Sequence, residues 1–192
     1  MTARFDRHAA QVVRVARRWV GTPFVEGQSL EGAGCDCAGL IRGLWRETVG
    51  AEPEAVPPYA QDEPARRREE TLLDMTRRHM TEVDLEYALP GDLILYRLRD
   101  GGWAQHAAIL VEGSATRGRI VHAMSGHGVR ETPAYRITDH PIGGVFRFPL
   151  EAAGEGEGDA GDGGEGEGGG GEGGDGGGGI DIEIDVGIGG GL

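Results

Sequence analysis

Around Leu89-Pro90-Gly91-Asp92 the rhythm of apolar residues in this chain changes, and the change limits the folds open to it. Before this turn signature, hydrophobic residues recur at helical spacing; after it they fall into short β-like runs. Phe5, Ala9, Val12, Val13, Ala16, Trp19 and Val20 form one stripe with arginines opposite, which predicts an amphipathic helix over 5–20 ending at Gly21-Thr22-Pro23. Leu40, Ile41, Leu44 and Trp45 predict a second helix to about Val49, with Gly50 as its C-cap. Residues 53–64, rich in proline, read as an extended surface crossing. Leu72, Leu73, Met75 and Met80 predict a third helix within 65–80, where Arg66-Arg67-Arg68 reads as a solvated face paired with Glu69 and Glu70. Beyond the turn, 93–96, 107–111, 120–123 and 145–148 read as strands. They are separated by Asp100-Gly101-Gly102, 113–118 and Gly126-His127-Gly128. Helices first and a meandering antiparallel sheet second define an α+β domain.

The domain is expected to stop where the composition does. From Glu151 onward the chain holds 21 of its 37 glycines, 12 of its 32 acidic residues and none of its 19 Lys and Arg. Residues 1–150 therefore carry 19 basic and 20 acidic groups, so the net charge of −13 belongs almost wholly to the tail. Such a body has the size of one domain and offers no basic stripe for nucleic acid. No segment approaches the roughly 18 apolar residues of a membrane span. The first 18 residues lack the apolar core and cleavage site of a secretory signal, so synthesis in the cytoplasm without a signal peptide is expected. Residues 151–179 are glycine with acidic punctuation and read as a flexible linker. As a random coil, residues 151–192 would span about 36 Å. Residues 180–188 alternate strictly between Ile or Val and acid until Gly187, which predicts a β-like docking peptide over 180–192 for a partner's sheet or groove. An edge strand folding back on its own domain is the alternative.

Both cysteines fall in Gly34-Cys35-Asp36-Cys37-Ala38-Gly39-Leu40-Ile41, where a glycine-broken loop gives way to the second predicted helix. Cys37 thus sits near a helix N-terminus, where unpaired amides and the positive end of the helix dipole favour an anion. A thiol there should lose its proton more readily, and the thiolate is the nucleophile. Cysteines one residue apart are poorly placed to form a disulfide staple. A thiolate nucleophile needs a base, and the base needs an orienting partner. Of the six histidines, His8 and His79 are expected on exposed helix faces and His140 in a turn. His106 and His122 belong to apolar strands, and antiparallel pairing across 113–118 would turn both imidazoles to one side. Cys35, Cys37, His106 and His122 also make a possible Cys₂His₂ zinc set, although Cys-x-Cys is tighter than the usual spacing.

Gly34–Ile41 resembles the Asp-Cys-x-Gly-Leu motif of the NlpC family of papain-like cell-wall cysteine peptidases. Pro90-Gly91-Asp92-Leu93 is similar to that family's strand-opening Gly-Asp-Leu, Gln105-His106-Ala107-Ala108-Ile109 to its histidine strand, and Val121-His122-Ala123 to its third polar position. The likeness covers about residues 9–148 and keeps the family's order of cysteine, histidine, histidine. It implies a papain-like domain over 1–150 in which Cys37 is the nucleophile, His106 the general base and acid, and His122 the residue orienting His106. Asp36, Phe24 and Ala38 would line the substrate and oxyanion positions, with no metal and no cofactor. The implied reaction is hydrolysis of an amide in the peptide stems of peptidoglycan, typically from D-glutamate to a diamino acid.

Three positions depart from the family. Phe24 stands where a tyrosine is usual, Ala38 where serine is common, and Cys35 where a bulky apolar residue is usual, so Cys35 reads as buried packing. A tethered hydrolase without a secretion signal most resembles the peptidases of phage tails and gene transfer agents. The implied partners are then tail or baseplate proteins engaging 180–192, and the place of action the wall or periplasm of a target cell. The alternatives are a catalytically idle structural or wall-binding subunit of such an assembly, and an amidase or acyltransferase of the same superfold.

Overall fold

The computed structural model describes residues 2–55, 70–97, 102–137 and 139–150. The Arg66-Arg67-Arg68 cluster, most of the Asp100-Gly101-Gly102 turn, and the linker and docking peptide expected over 151–192 lie outside the described residues.

Helix α1 runs Thr2–Arg18 and buries Val12, Val15 and Ala16, with Trp19 following just past its end. A two-stranded ribbon, β1 (Ser29–Leu30) against β2 (Gly34–Cys35), lies within the stretch expected to be loop. It leads directly into α2 (Cys37–Thr48), whose Leu40 and Leu44 are fully buried against the same core as α1. Gly50 follows the helix at φ 135°, and its amide bonds the Trp45 carbonyl at 3.1 Å, so it closes the C-terminus as expected. The third predicted helix is α3 (Thr71–His79), shorter than 65–80 among the described residues.

The remaining strands are β3 (Thr81–Val83), β4 (Leu93–Arg97), β5 (Ala104–Glu112), β6 (Arg119–Met124), β7 (Gly128–Pro133) and β8 (Ile142–Arg147). They form one antiparallel sheet in the order β3-β8-β4-β5-β6-β7. Both faces of its middle are covered. Leu93 and Leu95 of β4 join α1 and α2 in one core, while Ile94 and Tyr96 join Ala108, Leu110, Ile120 and Val145 in a second. A strand buried on both faces reads as a continuous apolar run, which is why β4 was legible as Leu93-Ile94-Leu95-Tyr96. The two edge strands, β3 and β7, escaped the sequence reading. Their residues Thr-Glu-Val and Gly-Val-Arg-Glu-Thr-Pro carry little apolar rhythm, and it is the neighbouring strand that makes them β.

Two devices set α2 and the sheet in place. On α2, a Cβ at Gly43 would stand 2.1 Å from the Trp19 ring, and one at Gly39 would stand 1.8 Å from the Gln28 carbonyl. Only glycine lets the helix approach that closely on both sides. At the head of β4, the buried Asp92 accepts from Arg147 Nε at 2.9 Å and Nη2 at 2.8 Å, and from the Leu89 amide at 2.8 Å. The Gly-Asp-Leu signature is thus a carboxylate clamp joining the turn to β8.

Candidate active site

Helix α2 begins at Cys37 because Asp36 caps it. Asp36 has extended backbone (φ −98°, ψ −172°), and its Oδ1 accepts from the Gly39 amide at 2.6 Å. Its Oδ2 accepts from the Gly27 amide at 2.7 Å, so the same carboxylate ties the preceding loop to the helix. Cys35 continues the stitching, with its amide bonding the Pro23 carbonyl at 3.0 Å and its carbonyl accepting from Val25 at 3.1 Å. Phe24 bridges Cys35 in parallel, and its half-buried ring packs on the main core. Ala38 is buried in the first turn.

The two thiols have unequal surroundings. Cys35 is fully buried, and burial, with Asp36 and Cys37 nearby, pushes its pKa up to about 12. It remains a protonated packing group at neutral pH. Cys37 retains 8% exposure, and its Sγ lies 3.8 Å from the carbonyl oxygen of Gln105 in β5. The residue after Gln105 is His106.

The sheet brings the two strand histidines together. β5 and β6 pair antiparallel with Ile109 opposite Val121 and Leu110 opposite Ile120. His106 Nε2 then lies 2.8 Å from His122 Nδ1, and the rings meet edge to face with centroids 5.1 Å apart. The pairing expected across 113–118 is present. On the far side, His122 Nε2 lies 3.0 Å from Thr132 Oγ1 on β7. Tyr96, opposite His106 on β4, sets its ring 6.3 Å from the imidazole, and burial raises its phenol pKa. Burial first, then the charges of His122 and His140, lowers His106 to about 3. Burial alone lowers His122 to about 4. Both rings are therefore neutral at neutral pH in this arrangement.

Two of the other histidines tie neighbouring segments together. His8 and His79 are half-buried rather than exposed: His8 Nε2 lies 2.8 Å from the Thr48 carbonyl, and His79 Nε2 lies 3.0 Å from Glu54. Each long side chain finds a partner on a neighbouring segment, which helical periodicity alone does not register. His140 follows a short 3₁₀ turn (Ala134–Ile137), its amide bonding the Ile137 carbonyl at 3.1 Å. The alternative zinc set is not assembled, since among the described residues no three or more of His, Cys, Asp and Glu gather as metal ligands. Thr132 and Tyr96 were missed by sequence reasoning. Only the register of β4, β6 and β7 sets them beside the histidines.

A cysteine opening a helix, next to a histidine strand of an antiparallel sheet, defines a papain-like α+β domain. The family model for NlpC/P60 matches residues 21–140, and the chain belongs to that family. Solved structures carry the same fold. NlpC1 from Trichomonas vaginalis superposes at TM-score 0.52 and 19% identity, over 73% of this chain and 44% of that one. NlpC2 from the same organism gives 0.54 and 18%, over 73% and 47%. This chain thus spans less than half the length of either Trichomonas protein. The NlpC/p60 domain of the peptidoglycan hydrolase SagA gives 0.50 and 22%, over 73% of this chain and 98% of that domain. No curated protein matches the chain. Among the described residues, no helix is long and apolar enough to cross a membrane.

Proposed function

We propose that this chain is a cysteine endopeptidase acting on the peptide stems of peptidoglycan, with Cys37 as nucleophile, His106 as base and acid, and His122 as its orienting partner. The observation that carries this reading is the 2.8 Å contact between His106 Nε2 and His122 Nδ1, on the strand whose Gln105 carbonyl meets the Cys37 sulfur. Because Nε2 is turned to His122, Nδ1 is the nitrogen left to exchange a proton with the thiol. The imidazole is costly to charge alone, and a thiolate beside it is the charge that offsets the cost.

The reaction follows from these positions. The Cys37 proton passes to His106 Nδ1, and the sulfur attacks the scissile carbonyl carbon. The amides of Cys37 and Ala38, at the start of α2, stabilise the oxyanion. His106 then gives its proton to the leaving amine as the C–N bond breaks, which leaves a thioester. Water, deprotonated by His106, attacks the thioester and regenerates the thiol. Asp36 supports this indirectly by holding the helix end and the loop that carries Phe24. The apolar ring of Phe24 favours a substrate preference that does not depend on a tyrosine hydroxyl at this place.

Membership of the NlpC/P60 family and the likeness to the SagA domain support peptidoglycan as the substrate class. The bond from D-glutamate to a diamino acid is the preferred target. Digestion of purified peptidoglycan with wild type and Cys37→Ala, with products identified by mass, tests the reading. New amine termini are expected with wild type only, and identical products from both would end it.

The alternating acidic and aliphatic residues at 180–188 support delivery on a phage-like tail, with 180–192 docking on a tail or baseplate protein and the enzyme acting in the wall of the target cell. Deletion of 180–192 is expected to abolish particle incorporation while leaving free wall hydrolysis unchanged. Undiminished incorporation would refute the docking role.

A further inference from the structure

We propose that Thr132 is a fourth member of the site, a positioning residue whose hydroxyl accepts a hydrogen bond from His122 Nε2–H and so keeps His122 Nδ1 bare to accept from His106. The inference rests on the reading of Cys37 and His106 as a thiolate–imidazolium pair. A histidine in the orienting position, unlike a carboxylate, can accept from His106 only while its facing nitrogen carries no proton.

A neutral imidazole carries one proton on one of two nitrogens. When His106 holds the proton taken from Cys37, its Nε2 is a donor, and His122 Nδ1, 2.8 Å away, must be an acceptor. His122 must then carry its own proton on Nε2. That nitrogen needs an acceptor, and Thr132 Oγ1 stands 3.0 Å from it. Without the hydroxyl, the Nε2–H of a ring that is only 1% exposed loses this partner, and the tautomer with the proton on Nδ1 becomes favourable. Two donors would then face each other when His106 is charged, and the imidazolium would be destabilised.

The sheet fixes the contact. Thr132 lies opposite Ile120 in the β6–β7 register and His122 lies opposite Arg130, so the threonine is the diagonal neighbour on the histidine's own side. The other groups that bear on the pair are fixed in character. His140 opposes charging of His106, Tyr96 stays neutral, and Arg130 turns its Nε to the His127 carbonyl at 3.0 Å.

The test reads the pair directly, without substrate. The rate of Cys37 alkylation by iodoacetamide, located by peptide mass, is followed against pH in wild type, Thr132→Val and Thr132→Ser. Valine keeps the branched shape that suits a strand and removes the hydroxyl. Its alkylation midpoint is expected to rise by about one pH unit, the scale of one lost hydrogen bond to the charged form. Serine is expected to restore it. A Thr132→Val profile that superimposes on wild type overturns the proposal. Should Thr132→Val fail to fold, nitrogen NMR of wild-type His122 decides. A proton on Nε2 at the pH where Cys37 is thiolate supports the proposal, and a proton on Nδ1 overturns it. A shifted profile in a protein that cleaves no peptidoglycan would reject the substrate reading and leave this inference standing.

Discussion

His106 and His122 meet edge to face across β5 and β6, with Nε2 of the first 2.8 Å from Nδ1 of the second. Burial depresses both, to about 3 and about 4, below the ordinary value of 6.5. An unfolded chain therefore binds more protons than the native one between these values, so stability is lost as pH falls through that window. The acids with depressed values, Glu52, Glu54 and Glu131, start from 4.5, and their contribution is lost only lower down. Urea midpoints measured every half unit are expected to hold level between about pH 8 and 6.5 and to fall steadily toward pH 4.5. His122→Gln is expected to flatten that slope, and an unchanged slope would remove the histidines as its cause.

Gly43 is the point where α2 meets the Trp19 indole, 2.1 Å from the position a Cβ would take. Overpacking of this kind costs about 1–3 kcal/mol, against about 1 kcal/mol that alanine in a helix otherwise returns. Gly43→Ala is expected to lower stability by a net of up to about 2 kcal/mol in chemical unfolding. It should also shift the tryptophan fluorescence, because the indole that donates to Glu47 at 3.0 Å must move.

Asp92 is 2% exposed and meets Arg147 through two bonds, at 2.9 and 2.8 Å. Truncation to alanine removes the acceptor of the Leu89 amide and leaves the guanidinium only the Tyr87 carbonyl, at 3.3 Å. Asp92→Ala is expected to cost about 3 kcal/mol in urea unfolding. Asp92→Asn, which retains an oxygen to accept, should lose clearly less. Equal losses would mean that charge, rather than hydrogen-bond acceptance, holds the turn.

Tyr96 is almost fully buried, and its hydroxyl has no hydrogen-bond partner among the described residues. A buried polar group left unsatisfied is costly, and removing it returns that cost. Tyr96→Phe is expected to raise the thermal midpoint, corresponding to about 1 kcal/mol, while the ring beside His106 stays in place. A lower midpoint would reveal an acceptor reached only in solution.

Much of the scaffold was written in one dimension. The stripe from Val12 to Trp19, the apolar run of β4, the change from loop to helix at Gly34–Ile41 and the turn at Asp92 are local patterns, each set by its own few residues. They sufficed to predict an α+β order and to place Cys37 at a helix start. The edge strands β3 and β7 were illegible, because polar residues at a sheet margin become β only when a neighbour supplies the hydrogen bonds.

The sequence by itself determined which residues are candidates for chemistry: two thiols and two strand histidines, in a fixed order. Tertiary structure decided their surroundings. Cys35 and Cys37 are separated by one residue, yet one lies fully in the core and the other meets the strand of His106. Thr132 and Tyr96 enter the neighbourhood only through strand register, a relation between residues far apart in the chain. Burial and cross-strand contact are properties of three dimensions, and the unequal surroundings of the two thiols follow from them.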